Sequence, residues 1–456
     1  MSLFADQFLD DPRVEQAKKL IVEVLLEHQK NVMRVEPAKQ SQKMAFNAML
    51  ASFEKDRGSP LFFPFISSGL GNGALVECVD GSVKYDFISG IGSHFSHSHP
   101  SLIEASLNGI VQDTVMQGHL QQSQSSASLL NLFLKTSGMA HGVLTSSGVM
   151  AVENGLKLAF QKRAPAQRVL AFQGCFMGRT LAAASITDKP ALRVGLPTTL
   201  QVDYIPFFSY KRPKKSLDRA VRKLKQVLKR YPNQHACMCF ELIQGEAGYY
   251  SGTSLFFKTI MTVLKEAGIP VFVDEIQTFG RTSHLYAYQH FELEEYVDIV
   301  SVGKLSQVCA TLFTREMKPK PGLISQTFTS SSAAIESSKW IVNELLTGGY
   351  LGGRGKNQTI SRYFRSRLVT LSKRHPHLIQ GPFGKGLMIA FTVFNGEKDR
   401  TISFCRYLFE KGVMSFIAGE EPCRIRFLVP IGGVKKEDID NVLAILLDAL
   451  QTFKPE

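Results

Sequence analysis

Ile269-Pro270-Val271-Phe272-Val273-Asp274-Glu275-Ile276-Gln277 and Val297-Asp298-Ile299-Val300-Ser301-Val302-Gly303-Lys304 are the two stretches on which the fold turns. Each is a short, β-branched apolar run bounded by turn residues, the pattern of a buried strand. The first leads to Asp274 and the second to Lys304, 30 positions later. A charge at the end of a buried strand is costly unless something compensates it. Pyridoxal 5′-phosphate (PLP) would compensate both. It needs an amine to form a Schiff base and a carboxylate beside its ring nitrogen. The carboxylate keeps that nitrogen protonated, so the ring accepts electrons as a substrate Cα–H bond breaks.

Outward from these two runs, helical patterns alternate with short apolar strands from about residue 102 to 343. Strands are expected near 142–145, 168–172, 238–243, 270–274 and 299–302. Such alternation implies an α/β fold, a mostly parallel sheet covered by helices. Residues 1–56 read as mainly helical, and 62–92 as a β-meander with a hairpin at Val79-Asp80-Gly81. After the Gly-rich break at 348–353 a smaller α+β region follows, with strands near 387–393, 413–416 and 424–429 and a last helix over 436–453. The expected organisation is therefore 1–100 as N-terminal helices and meander belonging to a small domain, 101–345 as a large cofactor-binding α/β domain, and 346–456 as the rest of the small domain.

The composition fits a globular enzyme: 456 residues, 44% hydrophobic and 20% charged. The seven cysteines lack metal-type spacing, so reduced thiols and no metal site are expected. No apolar stretch approaches the roughly 20 residues of a membrane span, and no signal peptide is legible, which points to the cytoplasm. Of the net charge of +13, much sits between Lys211 and Arg230, where Leu217, Val221, Leu224 and Leu228 recur at helical spacing. This reads as an amphipathic helix with a basic solvated face. Aromatic residues are not interleaved there, and no nucleic-acid or membrane partner is expected.

Four further segments carry chemistry. Gly142-Val143-Leu144-Thr145-Ser146-Ser147-Gly148-Val149 runs from a strand through a small-residue turn into a helix, where backbone N–H groups can hold a phosphate. In Gly174-Cys175-Phe176-Met177-Gly178-Arg179-Thr180, Phe176 can stack on a flat ring and Arg179 can grip a carboxylate. Glu241-Leu242-Ile243-Gln244-Gly245-Glu246 ends an apolar strand in carboxylates, for which a positioning role is preferred over acid–base work. In Cys423-Arg424-Ile425-Arg426-Phe427-Leu428 the two arginines share a strand face, and either suits an α-carboxylate. Taken singly, each segment also has a plain structural reading as a turn, a loop or a salt-bridged strand.

Together and in this order, the segments resemble the class III (ω) pyridoxal-phosphate aminotransferases of fold type I, over about residues 61–450. The most specific part is Asp274-Glu275-Ile276-Gln277-Thr278-Phe279-Gly280-Arg281-Thr282 with the segment ending at Lys304. The resemblance implies PLP as cofactor, with Lys304 as the Schiff-base lysine and Asp274 as the partner of the ring nitrogen. It implies that Gln277 lies near the ring hydroxyl, that Ser147, Gly148 and Val149 hold the phosphate, and that Phe176 stacks on the ring. Thr327 would reach the phosphate of a neighbouring subunit, which implies a homodimer with shared active sites. For substrate, Arg426 would take the α-carboxylate, Glu246 would mask that arginine when an ω-amine enters, and Arg179 would take the distal carboxylate. Glu241 lies in the same family segment, among the substrate-binding residues, where it would orient neighbouring groups. The implied substrates are amino acids and 2-oxoacids: the terminal amino group of a lysine-, ornithine-, acetylornithine- or 4-aminobutyrate-type donor would pass to 2-oxoglutarate by a ping-pong route.

Tyr286-Ala287-Tyr288-Gln289, the run from Gly303 to Cys309, and Gly386-Leu387-Met388-Ile389-Ala390-Phe391 are most similar to lysine 6-aminotransferases. The sequence departs from the family at three places. A Gly usual between Thr278 and Phe279 is missing, Met177 stands where His is usual, and Thr329-Ser330-Ser331-Ser332 replaces a Gly-Gly-Asn-Pro turn. A PLP-dependent aminomutase or decarboxylase of the same fold is the alternative reading, since those share Lys304 and Asp274 without needing two carboxylate sites.

Overall fold

The chain opens with helices α1 (Phe4–Leu9), α2 (Pro12–Gln29) and α3 (Lys43–Arg57), then strands β1 (Ser67–Asn72), β2 (Leu75–Cys78) and β3 (Val83–Asp86). Helices α4 (Ser89–Gly92), α5 (Pro100–Ile110) and α6 (Gln124–Ser137) lead to β4 (His141–Thr145), α7 (Gly148–Arg163), β5 (Arg168–Phe172), α8 (Leu181–Ile186), β6 (Gln201–Ile205) and α9 (Pro213–Arg230). Next come β7 (His235–Glu241), the short β8 (Ile243–Gln244) and β9 (Tyr250–Ser251), α10 (Ser254–Glu266), β10 (Val271–Asp274), α11 (Ala287–His290), β11 (Ile299–Val302), β12 (Cys309–Phe313), α12 (Ser332–Thr347) and α13 (Lys356–Arg374). The chain closes with β13 (Ile379–Phe383), β14 (Met388–Val393), α14 (Lys398–Glu410), β15 (Val413–Met414), β16 (Phe416–Ala418), β17 (Arg424–Leu428) and α15 (Lys436–Thr452). This computed structural model describes residues 3–113 and 118–454.

The chain divides into two compact units. One comprises residues 108–358 with 384–386 and is built on a seven-stranded sheet of order β4-β12-β11-β10-β7-β5-β6. Adjacent pairs from β11 to β6 run parallel, and β12 is antiparallel to both of its neighbours. The mostly parallel sheet expected from the alternation is therefore present, with one strand reversed. Two members escape the sequence pattern. β6 is an edge strand with only Ile205 fully buried, so its residues alternate weakly. β12 follows Lys304 after a short turn and packs as an antiparallel return, a connection too short for the crossover helix that parallel neighbours require.

Strands β5, β7 and β10 read as continuous apolar runs because helices cover the sheet. Val152, Leu156 and Ala159 of α7 share a core with Val169 and Ala171 of β5, Cys239 of β7, Phe272 of β10 and Ile299 of β11. The approach is close: a Cβ at Gly155 would lie 2.5 Å from the Phe272 ring and 3.2 Å from Ile299. Ser147 caps α7, its hydroxyl accepting from Met150 N at 3.3 Å.

The other unit comprises residues up to 107, 359–383 and those from 387 on. It holds the antiparallel β1-β2-β3 meander, extended in parallel by β15, and an antiparallel sheet of order β13-β14-β17-β16. The expected hairpin is present, with Gly81 at φ 78°. In β17, Arg424 stacks 3.8 Å from the Phe383 ring centroid, and the fully buried Arg426 lies 5.5 Å from that of Phe416. All seven cysteines are buried and none is in a disulfide. Among the described residues, no helix is long and apolar enough to cross a membrane.

The Gly155–Phe272 contact yields a test of packing. Gly155→Ala should destabilise the protein by about 1–2 kcal/mol, since overpacking against an immobile ring outweighs alanine's better helix propensity. Gly155→Val should cost more. Urea melts measure both, and unchanged midpoints would mean that the helix–sheet spacing yields freely.

Candidate active site

In parallel α/β sheets, ligands gather at the carboxyl ends of the strands, where successive turns converge. Here β4 ends before Ser147-Gly148-Val149, β5 before Phe176, β7 in Glu241, β10 in Asp274 and β11 before Lys304. A cavity of about 340 Å³ opens at this edge. Gly148, Val149, Phe176 and Arg179 line it from the first two turns. Glu241, Glu246, Asp274, Gln277 and Lys304 line it from the other three. Ser147 is not in the wall, its hydroxyl being used as the α7 cap. Thr327 lies in an exposed loop ahead of α12 and does not line the cavity. Arg426 belongs to the other unit.

Asp274 is only 8% exposed. Its Oδ1 accepts from Ile276 N at 2.8 Å and from Ser301 Oγ at 2.9 Å. Ser301 is directly opposite Asp274 in the β10–β11 register, so the hydroxyl is delivered by the sheet itself. Burial pushes the Asp274 carboxyl up to about 6, against these two hydrogen bonds and the nearby Lys304 charge, which pull it down. Among the described residues both hydrogen bonds fall on Oδ1, which leaves Oδ2 without a protein donor.

Glu275, the next residue, turns away into the protein. It is fully buried and accepts from Tyr288 N at 2.8 Å and from the Thr278 hydroxyl, and burial pushes its carboxyl up to about 7. Gln277 is 9% exposed, and its Oε1 is buried with no protein partner among the described residues. Such orphaned polar atoms are uncommon in native interiors and call for an explanation. Gly245 permits the approach of this amide, because a Cβ there would lie 2.5 Å from Gln277 Oε1.

Lys304 stands at φ 52°, in the left-handed region that side chains with a Cβ avoid. Gly303 before it is extended, and a Cβ there would meet Ile276 at 2.9 Å and Cys309 Sγ at 3.0 Å. Ile276 also fills the space beside Gly148, where a Cβ would come within 3.0 Å of it. One side chain thus packs under both the α7 turn and the lysine turn. At the rim, Glu246 is 3.7 Å from Lys189, and Arg179 is exposed. Where the family usually has His, Met177 is buried in the core and its N–H donates to Thr187 Oγ1 at 3.0 Å.

These groups fit a flat, phosphorylated, cationic ring. The α7 N-terminus offers N–H groups to a phosphate. Asp274 Oδ2 suits a ring N–H⁺, Gln277 has hydrogen-bonding capacity to use, and Phe176 supplies an aromatic face in the wall. Sequence reading overlooked Ser301, Ile276 and Lys189. A lone hydroxyl inside the apolar run 299–302 was the one legible sign of Ser301; the other two needed the fold.

Residues 58–450 match the family described as Aminotransferase class-III, which leaves α1–α3 outside the match. An acetylornithine aminotransferase of Caldanaerobacter subterraneus subsp. tengcongensis is 26% identical over 398 residues, 84% of this chain and 94% of that protein. The L-lysine-epsilon aminotransferase of Mycobacterium tuberculosis is 27% identical over 386 residues, 77% of this chain and 81% of that one. A 2-aminoadipate transaminase of Pseudomonas putida is 28% identical over 407 residues, 83% and 94% of the two chains. Among solved structures, the lysine aminotransferase from M. tuberculosis shares the fold with a TM-score of 0.78 at 21% identity, covering 88% of this chain and 99% of that one.

The position of Asp274 sets a pH test. Its carboxyl titrates near 3.8 when unfolded and near 6 when folded. The ionised form is therefore costly in the folded protein: its penalty is absent below about pH 4 and grows as pH rises through 6. In PLP-free protein, Asp274→Asn keeps an acceptor oxygen for Ile276 and Ser301 but carries no charge. Its stability relative to the parent should rise between pH 4.5 and 7.5 by about 2 kcal/mol. A pH-independent difference in thermal melts would show that the buried charge costs nothing.

Proposed function

This chain belongs to the class III aminotransferases, and we propose that it transfers the terminal amino group of an ω-amino acid to 2-oxoglutarate, in two half-reactions of ping-pong form. Enzymes of this class depend on PLP. Bound PLP supplies an aldehyde that takes up the amino group and a protonated ring that accepts electrons when the substrate C–H bond breaks. The observation that carries the reading is one cavity wall in which Asp274, Gln277 and Lys304 stand together at the ends of β10 and β11.

In this reading Lys304 Nζ anchors the cofactor and, once displaced by substrate, holds the proton taken from the reacting carbon. Asp274 Oδ2 holds the proton on the ring nitrogen, at a site where burial strengthens the pairing. Gln277 orients the ring hydroxyl. Gly148 and Val149 bind the phosphate through backbone N–H groups, with Ser147 fixing the helix end that presents them. Phe176 covers one face of the ring and excludes water from it. Arg179, exposed at the rim, is the proposed grip for the distal carboxylate, and Glu246 shares that rim. Arg426 is assigned to the α-carboxylate and Thr327 to a neighbouring subunit's phosphate, both by their match to the family; the second assignment makes the working unit a homodimer. The lysine-epsilon and acetylornithine relatives support a terminal amine as donor. We place the reaction in the cytoplasm.

The purified protein incubated with PLP should turn yellow. It should bleach with one of lysine, ornithine, acetylornithine, 4-aminobutyrate or 2-aminoadipate, and with glutamate, and regain colour with 2-oxoglutarate. A protein that takes up no PLP would overturn the reading. Lys304→Ala should lose turnover by roughly four orders of magnitude or more, as removal of a covalent catalyst does elsewhere. Arg426→Ala should raise KM for glutamate and 2-oxoglutarate together; an effect confined to the ω-amine would reverse the assignment of the two carboxylate sites.

A further inference from the structure

Glu241 ends β7 directly opposite Asp274 in the β7–β10 register and is 7% exposed. The family resemblance places it in the substrate segment as a residue that orients its neighbours, and its hydrogen bonds identify which neighbours those are. Its Oε2 accepts from Phe176 N at 2.8 Å, and its Oε1 accepts from Gly245 N at 2.8 Å. Phe176 comes from the turn after β5, 65 positions away in sequence, whereas Gly245 is four residues on in the same segment. Gly245 in turn lies against the Gln277 amide.

We propose that Glu241 is a positioning residue that ties the Phe176 turn to the Gly245–Gln277 wall and so sets the width of the slot between them. This rests on the reading of that slot as the PLP site. The two donors arrive on different oxygens from different segments, so an acceptor oxygen facing each side links them. Glutamine would present its one acceptor oxygen toward only one of these two donors and an NH2 toward the other, so it holds one wall in this geometry. Burial pushes the Glu241 carboxyl up to about 8, and the two N–H groups pull it back down. Phe176 is half-buried, with its backbone N–H held by Glu241, so without this anchor its ring loses its register over the slot.

The full-length protein stripped of PLP, titrated with PLP alone, tests this. Glu241→Ala should raise the PLP dissociation constant at least tenfold, and Glu241→Gln by less, since one acceptor remains. The visible circular dichroism of bound PLP should fall in the same order, because it reports how asymmetrically the ring is held. In a Phe176→Ala background, Glu241→Ala should add less than threefold, as expected of a residue that acts through Phe176. Should Glu241→Ala fail to fold, Glu241→Gln carries the comparison alone. Wild-type PLP affinity in both Glu241 variants, with only the amine KM raised, would make Glu241 a substrate contact and overturn the proposal. Full additivity with Phe176→Ala would overturn it too. A parent protein that binds no PLP would instead remove the reading beneath, a result separable from either.

Discussion

A carboxylate kept at the end of a buried parallel strand is the constraint around which the larger unit is arranged. Asp274 reaches the cavity because β10 is central, apolar and short, so that its last residue emerges where neighbouring strands also end. The sheet then solves its own problem. Ser301 on β11 and Glu241 on β7 are both in register with Asp274, one supplying a hydroxyl and the other a second carboxylate. Side-by-side carboxylates repel, and burial already penalises each, so the edge of this sheet is strongly predisposed toward a cation.

The glycines follow from the same crowding. Gly148 and Gly303 both leave room for Ile276, and Gly245 leaves room for Gln277. These three turns each approach a residue of the Asp274 loop closely enough that a side chain would collide. Lys304 pays for its place in the backbone at φ 52°, a conformation sustained only where surrounding packing over-determines it. The strain and the missing side chains belong to one design, in which loops from distant parts of the chain are drawn onto one Ile and one Gln.

Much of this was legible in the sequence, and the limits have physical causes. The strands that end in Asp274 and precede Lys304 stood out because full burial makes them uninterrupted and β-branched. The α/β alternation followed from helices that each carry one apolar stripe. β12 was illegible because reversal after a tight turn leaves no trace in composition, and β6 because an edge strand is only half selected for burial. Most of the residues singled out as a constellation share one cavity wall; Ser147 and Thr327 are not among its lining, and Arg426 belongs to the other unit. Hidden from the sequence were relations that exist only between strands: Ser301 under Asp274, and both oxygens of Glu241 committed to N–H groups of other segments. Met177 was visible as a departure from the family, but that its thioether enters the helix–sheet core could be read only from the packing.

The absent methyl at Gly155 has a reach well beyond its own packing. Two turns of helix separate it from the α7 end that faces the cavity, and Phe272 stands two positions before Asp274. The contact between them therefore acts as a gauge block between the anion-binding end of a helix and the carboxylate end of a strand. Whatever occupies the cavity is measured against that fixed length before any of its reactive atoms are tested. Arg179, Lys189 and Glu246 at the rim take no part in that contact, so substitutions there leave the calibration beneath unaltered.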